Sequence, residues 1–358
     1  MIKPRYIVSA CLAGENCRYD GQNNYDERIE TLVKEGLAVL VCPEVMGGLH
    51  TPRIPCERCG NRVINKNGED KTIEFQEGAD ISLDIALRKN IKRAILKERS
   101  PSCGVKFIHD GTFSNHLIPG KGVLTELLED NGFLVYSEED EPFYDAIIVA
   151  AGSGSRTGLE YNKMFYHSGV VTVIEKAAEP FIADYLCSKV IIVCKKEEQP
   201  MFEAFLPYSK VVYAYGGESR EESVYNGLKM STAEYVLIHD GARANLTLEL
   251  VNKIVKEAQK KKTSVVPFVD VLDHKRDYIV DNRAIQTPQA HHRETLKQAM
   301  EEIKENLKDY RDESGIISAH TDVPIHYIKG ELNNFKITEK EDLAEWAAMH
   351  TKEDEEDD

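Results

Sequence analysis

The chain has 358 residues, 42% hydrophobic and 30% charged, with a formal net charge of −16 at pH 7. That length suits two cores better than one, and the acidic balance repels a phosphate backbone, so nucleic acid is not an expected partner. No run approaches the roughly 18–20 apolar residues of a membrane span, and the opening MIKPRYIVSACL has no secretion-type apolar region, so the expectation is a cytoplasmic protein without a membrane partner.

In chain order, RYIVSACL, LAVLVCPE and RAILKERS read as short buried strands, with helical patterns around 26–35, 79–92 and 122–130. The stretch YSEEDEPFYD (136–145), acidic and proline-bearing between two apolar runs, reads as a linker. Beyond it DAIIVAAG, KVIIVC, KVVYAYGG, EYVLIHDG and TSVVPFVD are β-branched strands, separated by helical segments near 171–186, 199–206, 220–231 and 247–260. Strands alternating with helices predict an α/β fold in both halves, the second a Rossmann-like, parallel-dominated sheet with helices on both faces and ligands at the carboxyl ends of its strands. The expected division is 1–140, 141–350 and a disordered acidic tail, 351–358.

Six cysteines, Cys11, Cys17, Cys42, Cys56, Cys59 and Cys103, fall in the first half, and their clustering in a long chain points to metal or redox chemistry rather than disulfides. Cys11, Cys42 and Cys103 each end a strand or follow one, so a sheet edge gathers them, and thiolates suit zinc or iron–sulfur centres. The Cys56–Cys59 pair has a C-x₂-C spacing without a second pair and reads as loop cysteines; whether it or Cys17 joins a metal stays open. Cys187 and Cys194 read as core, and Asp20 and Asp110, each followed by glycine, as turn residues.

Through SACLAGENCRYDG, CPEVMGGLHTPR, GAD (78–80), AILKERSPSCG, HDGTF and GKGVLTELL, residues 5–138 resemble the bacterial family that includes 2-thiouracil desulfurase. The resemblance implies a [4Fe-4S] cluster on Cys11, Cys42 and Cys103, with Cys17 spare and one iron open to take sulfur from a thiolated small molecule such as a pyrimidine. Glu44 is the proton-transfer candidate and Ser100 the candidate hydroxyl; their plain alternatives are a helix-cap carboxylate and a turn-stabilising hydroxyl. A structural or redox metal module is the competing reading of this half.

In the second half, AAGSGSRTGLEYNK follows the first strand, and a glycine-rich turn there lets backbone N–H groups close around phosphate oxygens while Arg156 and Lys163 add positive charge. Further along come GGESREESVYNG (216–227), VLIHDGAR (236–243), QTPQ (286–289) and NNFKIT (333–338). With these motifs residues 145–346 resemble the 2-C-methyl-D-erythritol 4-phosphate cytidylyltransferases, which have a GT-A-like fold. The resemblance implies transfer of CMP from CTP to a sugar-alcohol phosphate in the isoprenoid precursor pathway, with Mg²⁺ and release of pyrophosphate. It assigns Arg156, Lys163 and Lys336 to the reacting phosphates, and Ala150, Ala151, Gly152 and Gly154 to the nucleotide loop. Gly217, Glu218, Arg220 and Ser223 fall to cytosine and ribose, Asp240 to magnesium and the acceptor, and Arg243 and Thr287 to the acceptor phosphate. The plain alternatives are a helix cap for Asp240, a surface charge for Lys336 and a helix-surface residue for Arg220, while His239 reads as a packed strand-end histidine.

The departures from the family pattern fall on the acceptor side. Val271 stands in place of a threonine, the segment from Asp270 to Thr287 is shorter than the usual projecting β-arm, and the expected arginine falls on Ile279, with Arg276 and Arg283 only nearby. Ala244 replaces the usual proline. The CTP half is expected to be complete, the acceptor half eroded, and a homodimer built on that arm weakened. The competing reading is a CTP-binding domain with an altered acceptor or lost turnover.

Overall fold

The computed structural model describes residues 2–152, 154–271 and 278–350; Arg276 and the acidic ending 351–358 lie outside the described residues. The chain forms two compact units that meet between Glu141 and Pro142.

In the N-terminal unit β1 (Tyr6–Ser9) runs into a tight turn, followed by α1 (Glu27–Lys34), β2 (Ala38–Val41) and α2 (Pro43–Met46). A hairpin of β3 (Cys56–Cys59) and β4 (Arg62–Asn65) precedes α3 (Thr72–Arg88) and β5 (Arg93–Leu96). A second hairpin, β6 (Phe107–His109) and β7 (Leu117–Pro119), leads to α4 (Val123–Asp130) and β8 (Leu134–Ser137). Strands β2, β1, β5 and β8 make a parallel sheet in that order. Every residue of β1 and β5 is buried, as the unbroken apolar runs of a two-sided parallel sheet require. Two short strands replace the loop expected at Cys56–Cys59. Helix α3 occupies 72–88 rather than 79–92: Asp70 accepts from the Thr72 N–H at 3.0 Å near its start, and the left-handed Asn90 (φ 53°) lies beyond its end.

Helix α2 sits flush on α3 because both contact points are glycine. A Cβ on Gly78 would fall 1.8 Å from the Pro43 carbonyl oxygen, and one on Gly47 1.8 Å from that of Glu74. This close approach sets the position of α2, whose first residues follow Cys42 and include Glu44.

The C-terminal unit begins with β9 (Tyr144–Val149), the small β10 (His167–Ser168) and β11 (Val171–Thr172), then α5 (Val173–Ile182), β12 (Cys187–Cys194), α6 (Gln199–Phe205) and β13 (Val211–Tyr215). Next come α7 (Arg220–Leu228), β14 (Tyr235–Asp240), α8 (Leu248–Lys261), β15 (Ser264–Asp270), β16 (Tyr278–Val280), β17 (Arg283–Ile285) and β18 (Gln289–His292). The unit closes with α9 (Arg293–Glu302), α10 (Glu313–His320), β19 (Ile325–Lys329) and α11 (Lys340–His350). Helix starts follow local chemistry: Thr172 and Glu175 form a reciprocal capping box at α5, and the Ser219 hydroxyl caps α7.

Among the described residues one sheet of nine strands organises this unit. Strands β13, β12, β9 and β14 are parallel, and the remainder joins through the antiparallel β18. Ile147, Ile191, Val193, Val236 and Ile238 from the sheet pack with Leu296, Ile316 and Ile317, and each such fully buried side chain contributes about 2 kcal/mol of burial. The register pairs Asp240 with Val149, which sets the end of β14 beside the glycine-rich loop that begins at Ala150. On the far side β16 and β17 form a three-residue ribbon whose turn residues Asp281 and Asn282 take the left-handed region that Asx residues tolerate, and Ile279 is exposed on it.

Candidate active sites

In the C-terminal unit a cavity of about 510 Å³ opens at the carboxyl ends of β9, β12 and β14. One wall is the loop of Ala150, Ala151, Gly152 and Gly154, with Arg156 and Lys163 beyond it. Gly154 has φ 65°, so it takes this turn without strain, and a Cβ there would lie 3.3 Å from the Lys163 backbone nitrogen and 3.5 Å from its stem. A second wall is the start of α7, with Gly217, Glu218, Arg220 and Ser223; the Ser223 hydroxyl accepts from the Gly217 N–H at 3.0 Å and donates to the Ser219 carbonyl at 2.8 Å. Asp240 and Lys336 complete the ring.

Charge here is densely paired. Asp240 Oδ2 accepts from Lys336 Nζ at 2.7 Å, Oδ1 accepts from Arg220 Nε at 3.0 Å, and Arg243 Nε lies 3.9 Å away. Burial alone would push the Asp240 carboxyl up, but Lys336, Arg220 and Arg243 hold it well below the usual range. Lys163 donates to the Ile337 carbonyl at 2.6 Å; burial, reinforced by the Lys336 charge, lowers its pKa to about 8.

Two expected acceptor contacts are turned inward. Arg243 is 3% exposed and donates to the carbonyls of Asn334 at 2.9 Å and Ile285 at 3.4 Å, while Thr287 is 4% exposed with its hydroxyl between the Asp240 N–H and His239 Nδ1. Neither lines the cavity. They brace the turn after β14, because that turn's polar groups have no water to meet. His239 is fully buried between Thr287 and the Arg243 carbonyl, with its pKa lowered to about 4 chiefly by burial. Arg220 clamps Asp240 to Glu313, whose carboxylate accepts at 2.7 Å, rather than offering a free fork to a nucleobase.

A magnesium ion here would take most of its ligands from triphosphate oxygens and water, with Asp240 as the carboxylate the motif offers. Both Asp240 oxygens already accept from cations, and among the described residues no three His, Cys, Asp or Glu side chains are spaced around one metal.

Sequence reasoning missed Lys195 and Glu313. Lys195 follows the last residue of β12 and lines the cavity, a position the strand-end rule could have flagged. Glu313 lies in the first turn of α10, where an acidic residue reads as a dipole partner.

The N-terminal unit has its own cavity of about 500 Å³, lined by Cys11, Cys17, Cys42, Cys56, Cys103, Glu44 and Ser100. Cys59 is exposed, its Sγ 3.5 Å from the Gly111 carbonyl, and Cys187 and Cys194 are buried in the other unit's sheet. The Cys17 thiol hydrogen-bonds both Cys11 and Cys42. That contact lowers Cys42 to about 7 and Cys11 below its ordinary value, while Cys17 itself is raised. Asn24 Nδ2 donates to Cys11 Sγ at 3.5 Å. Burial raises Cys103.

Glu44 is held by Arg53 Nε at 2.8 Å, yet burial outweighs that charge and raises its carboxyl. Arg53 also donates to the Cys17 carbonyl at 3.0 Å, tying the carboxylate to the thiol loop. The Ser100 hydroxyl accepts from the N–H groups of Ser102 and Cys103, both at 3.1 Å, so it shapes the turn that presents Cys103. Among the described residues no three His, Cys, Asp or Glu side chains are spaced around a single metal ion. An iron–sulfur cluster takes each thiolate on a separate iron, and this soft, half-buried donor set fits it.

Comparison with known proteins matches the same division. The family model "2-thiouracil desulfurase" matches residues 6–140, and "2-C-methyl-D-erythritol 4-phosphate cytidylyltransferase" matches residues 145–352. The 2-C-methyl-D-erythritol 4-phosphate cytidylyltransferase of Clostridioides difficile is 32% identical over 56% of this chain and 90% of its own length. A solved 4-diphosphocytidyl-2C-methyl-D-erythritol synthase from Anaerococcus prevotii is 28% identical, with a TM-score of 0.50, covering 58% of this chain and 95% of that one. A solved [4Fe-4S]-dependent thiouracil desulfidase is 45% identical over 38% of this chain and 92% of its own, with a TM-score of 0.37. The chain therefore belongs, through its C-terminal unit, to the 2-C-methyl-D-erythritol 4-phosphate cytidylyltransferase family, joined to an N-terminal unit of the 2-thiouracil desulfurase family.

Proposed function

We propose that the two units are separate catalytic domains of one cytoplasmic enzyme. The C-terminal domain transfers CMP from CTP to a sugar-alcohol phosphate, 2-C-methyl-D-erythritol 4-phosphate, and releases pyrophosphate for isoprenoid precursor synthesis. The observation that carries this is the convergence of Arg156, Lys163 and Lys336 on one cavity beside a glycine-rich loop. In that chemistry an acceptor phosphate oxygen attacks the α-phosphorus, the α–β bridging bond breaks, and pyrophosphate leaves with the electron pair. Arg156, Lys163 and Lys336 meet the negative charge that grows on the phosphates, Asp240 holds Lys336 in place, and the backbone of Ala150, Ala151, Gly152 and Gly154 lies along the nucleotide.

The N-terminal domain removes sulfur from a thiolated pyrimidine by hydrolysis, water supplying the oxygen that replaces it on the ring carbon and the sulfur leaving as sulfide. Cys11, Cys42 and Cys103 would hold a [4Fe-4S] cluster, which supplies an open iron as a sulfur acceptor. Glu44, held on the cavity wall by Arg53, would serve proton transfer, and Ser100 orders the Cys103 turn and adds a hydroxyl to the wall.

The interior placement of Arg243 and Thr287 favours a second reading in which the acceptor is a different alcohol phosphate. The ribbon of β16 and β17 pairs over three residues, which leaves little surface for pairing two copies through that segment. Anaerobic purification with iron and sulfide analysis tests the first domain: a brown protein absorbing near 400 nm supports it and a colourless zinc protein refutes it. Pyrophosphate release from CTP with a panel of sugar-alcohol phosphates tests the second, and CTP binding with no turnover on any acceptor refutes transfer.

A further inference from the structure

The cavity that gathers Cys11, Cys42 and Glu44 is also lined by His109, Phe113 and Asn115. All three belong to the second hairpin: His109 ends β6, and the other two sit in the turn before β7. His109 Nδ1 is sealed from solvent and has no hydrogen-bond partner within the protein.

Phe113 and Asn115 both adopt left-handed backbone, φ 58° and 61°. For a bulky residue such as Phe that conformation persists only where the surroundings over-determine it, and such positions concentrate at ligand-holding segments. Here the surroundings are visible. Glu57 of β3 accepts from the Phe113 N–H at 2.9 Å, and Asp110 accepts from the Thr112 N–H at 3.0 Å and from its hydroxyl at 2.6 Å. A Cβ on Gly111 would lie 2.4 Å from Cys59 Sγ, so the first hairpin abuts this turn directly.

The hairpin thus sets an aromatic ring, an amide and the edge of an imidazole along the cavity of thiols, while the unmet Nδ1 of that imidazole is turned into the protein. A flat heterocycle with donors and acceptors on its edge is the ligand chemistry that satisfies all three. The geometry points to the His109, Phe113 and Asn115 turn as the wall that recognises the ring of the thiolated pyrimidine, Phe113 against its face and His109 and Asn115 at its polar edge. This rests on the desulfurase reading and adds to it: the three residues are specificity residues, and the C–S chemistry falls to the cluster that the thiols would hold and to Glu44.

The test uses the full chain with its cluster reconstituted, measuring uracil binding by calorimetry as an unreactive oxygen isostere, together with 2-thiouracil turnover. In Phe113→Leu and Asn115→Gly, Kd for uracil and KM for 2-thiouracil rise roughly tenfold, while kcat, iron content and absorbance near 400 nm stay at wild-type values. Glycine takes φ near +60° freely, so a loss in Asn115→Gly reports the amide rather than the backbone. Wild-type Kd and KM in both variants would overturn the assignment of the wall. A wild-type protein that neither binds uracil nor consumes 2-thiouracil overturns the desulfurase reading, and this inference with it.

Discussion

Lys336 and Asp240 meet at 2.7 Å between Nζ and Oδ2, at the point where β14 runs out beside the glycine-rich loop. The carboxylate holds the ammonium on the cavity wall and, by its own pairing with Arg220, ties it to the buried Glu313. A cation held in advance loses little freedom when a triphosphate arrives, so more of its attraction is left for the charge that develops during transfer.

Lys163 shares the cavity, and burial together with Lys336 brings its pKa to about 8. The sign follows directly: the ammonium is present below that value and is lost as the pH rises through it. We expect kcat/KM for CTP to fall about tenfold per pH unit above about 8. In Lys163→Arg this alkaline limb should disappear, because a guanidinium keeps its charge. A flat pH–rate profile for the wild type between 7 and 9.5 would contradict the placement of Lys163.

Glu313 is fully buried and carries the far end of the Arg220 clamp. Without Glu313 the Arg220 guanidinium keeps only Asp240 and its remaining donors lose their acceptor, so Glu313→Ala should destabilise the C-terminal unit by about 2 kcal/mol. Trp346 is the chain's single tryptophan and is buried in α11, so its fluorescence during urea unfolding reports this unit. An unchanged midpoint would show that the clamp carries no stability.

His239 and His291 fold as neutral groups, their pKa values pushed by burial to about 4 and about 3. Above pH 6.5 both states are neutral and the stability is whole. As the pH falls the unfolded chain gains two protons that the native unit refuses, so stability drops by roughly 1.4 kcal/mol per pH unit for each histidine until the folded pKa values are reached. The Trp346 unfolding midpoint should therefore fall between pH 6.5 and 5, with a shallower slope in His291→Gln. A midpoint independent of pH in that window would contradict the buried neutral state.

Gly78 lets α3 touch α2, which follows Cys42 and carries Glu44. In Gly78→Ala the new Cβ collides with the Pro43 backbone, so α2 must shift. Iron content after reconstitution should then fall below half of the wild-type value, while CTP-dependent pyrophosphate release is retained. Full iron incorporation would show that the position of α2 is not what gathers the thiols.

Much of this was legible because parallel strands are nearly pure apolar runs and their carboxyl ends collect the chemistry. Cys11, Cys42, the 150–154 loop and Asp240 all stand at such ends. What stayed hidden depended on side-chain direction. A motif places Arg243 and Thr287 in sequence but does not say that the carbonyls of Asn334 and Ile285 draw the guanidinium inward, or that His239 and the Asp240 N–H occupy the hydroxyl. The two hairpins of the N-terminal unit escaped notice because their short strands, such as CERC and RVIN, lack the longer apolar runs that marked the equally short β1 and β2. Glu313 escaped because its partner, Arg220, lies far away along the chain.

The most direct measurement is steady-state pyrophosphate release from CTP and 2-C-methyl-D-erythritol 4-phosphate, comparing the wild type with Lys163→Ala. Transfer by the wild type, reduced on the order of 10²–10³-fold in the variant with the Trp346 unfolding midpoint unchanged, is the predicted result. Equal rates in the two proteins would contradict the gathering of cations around one triphosphate.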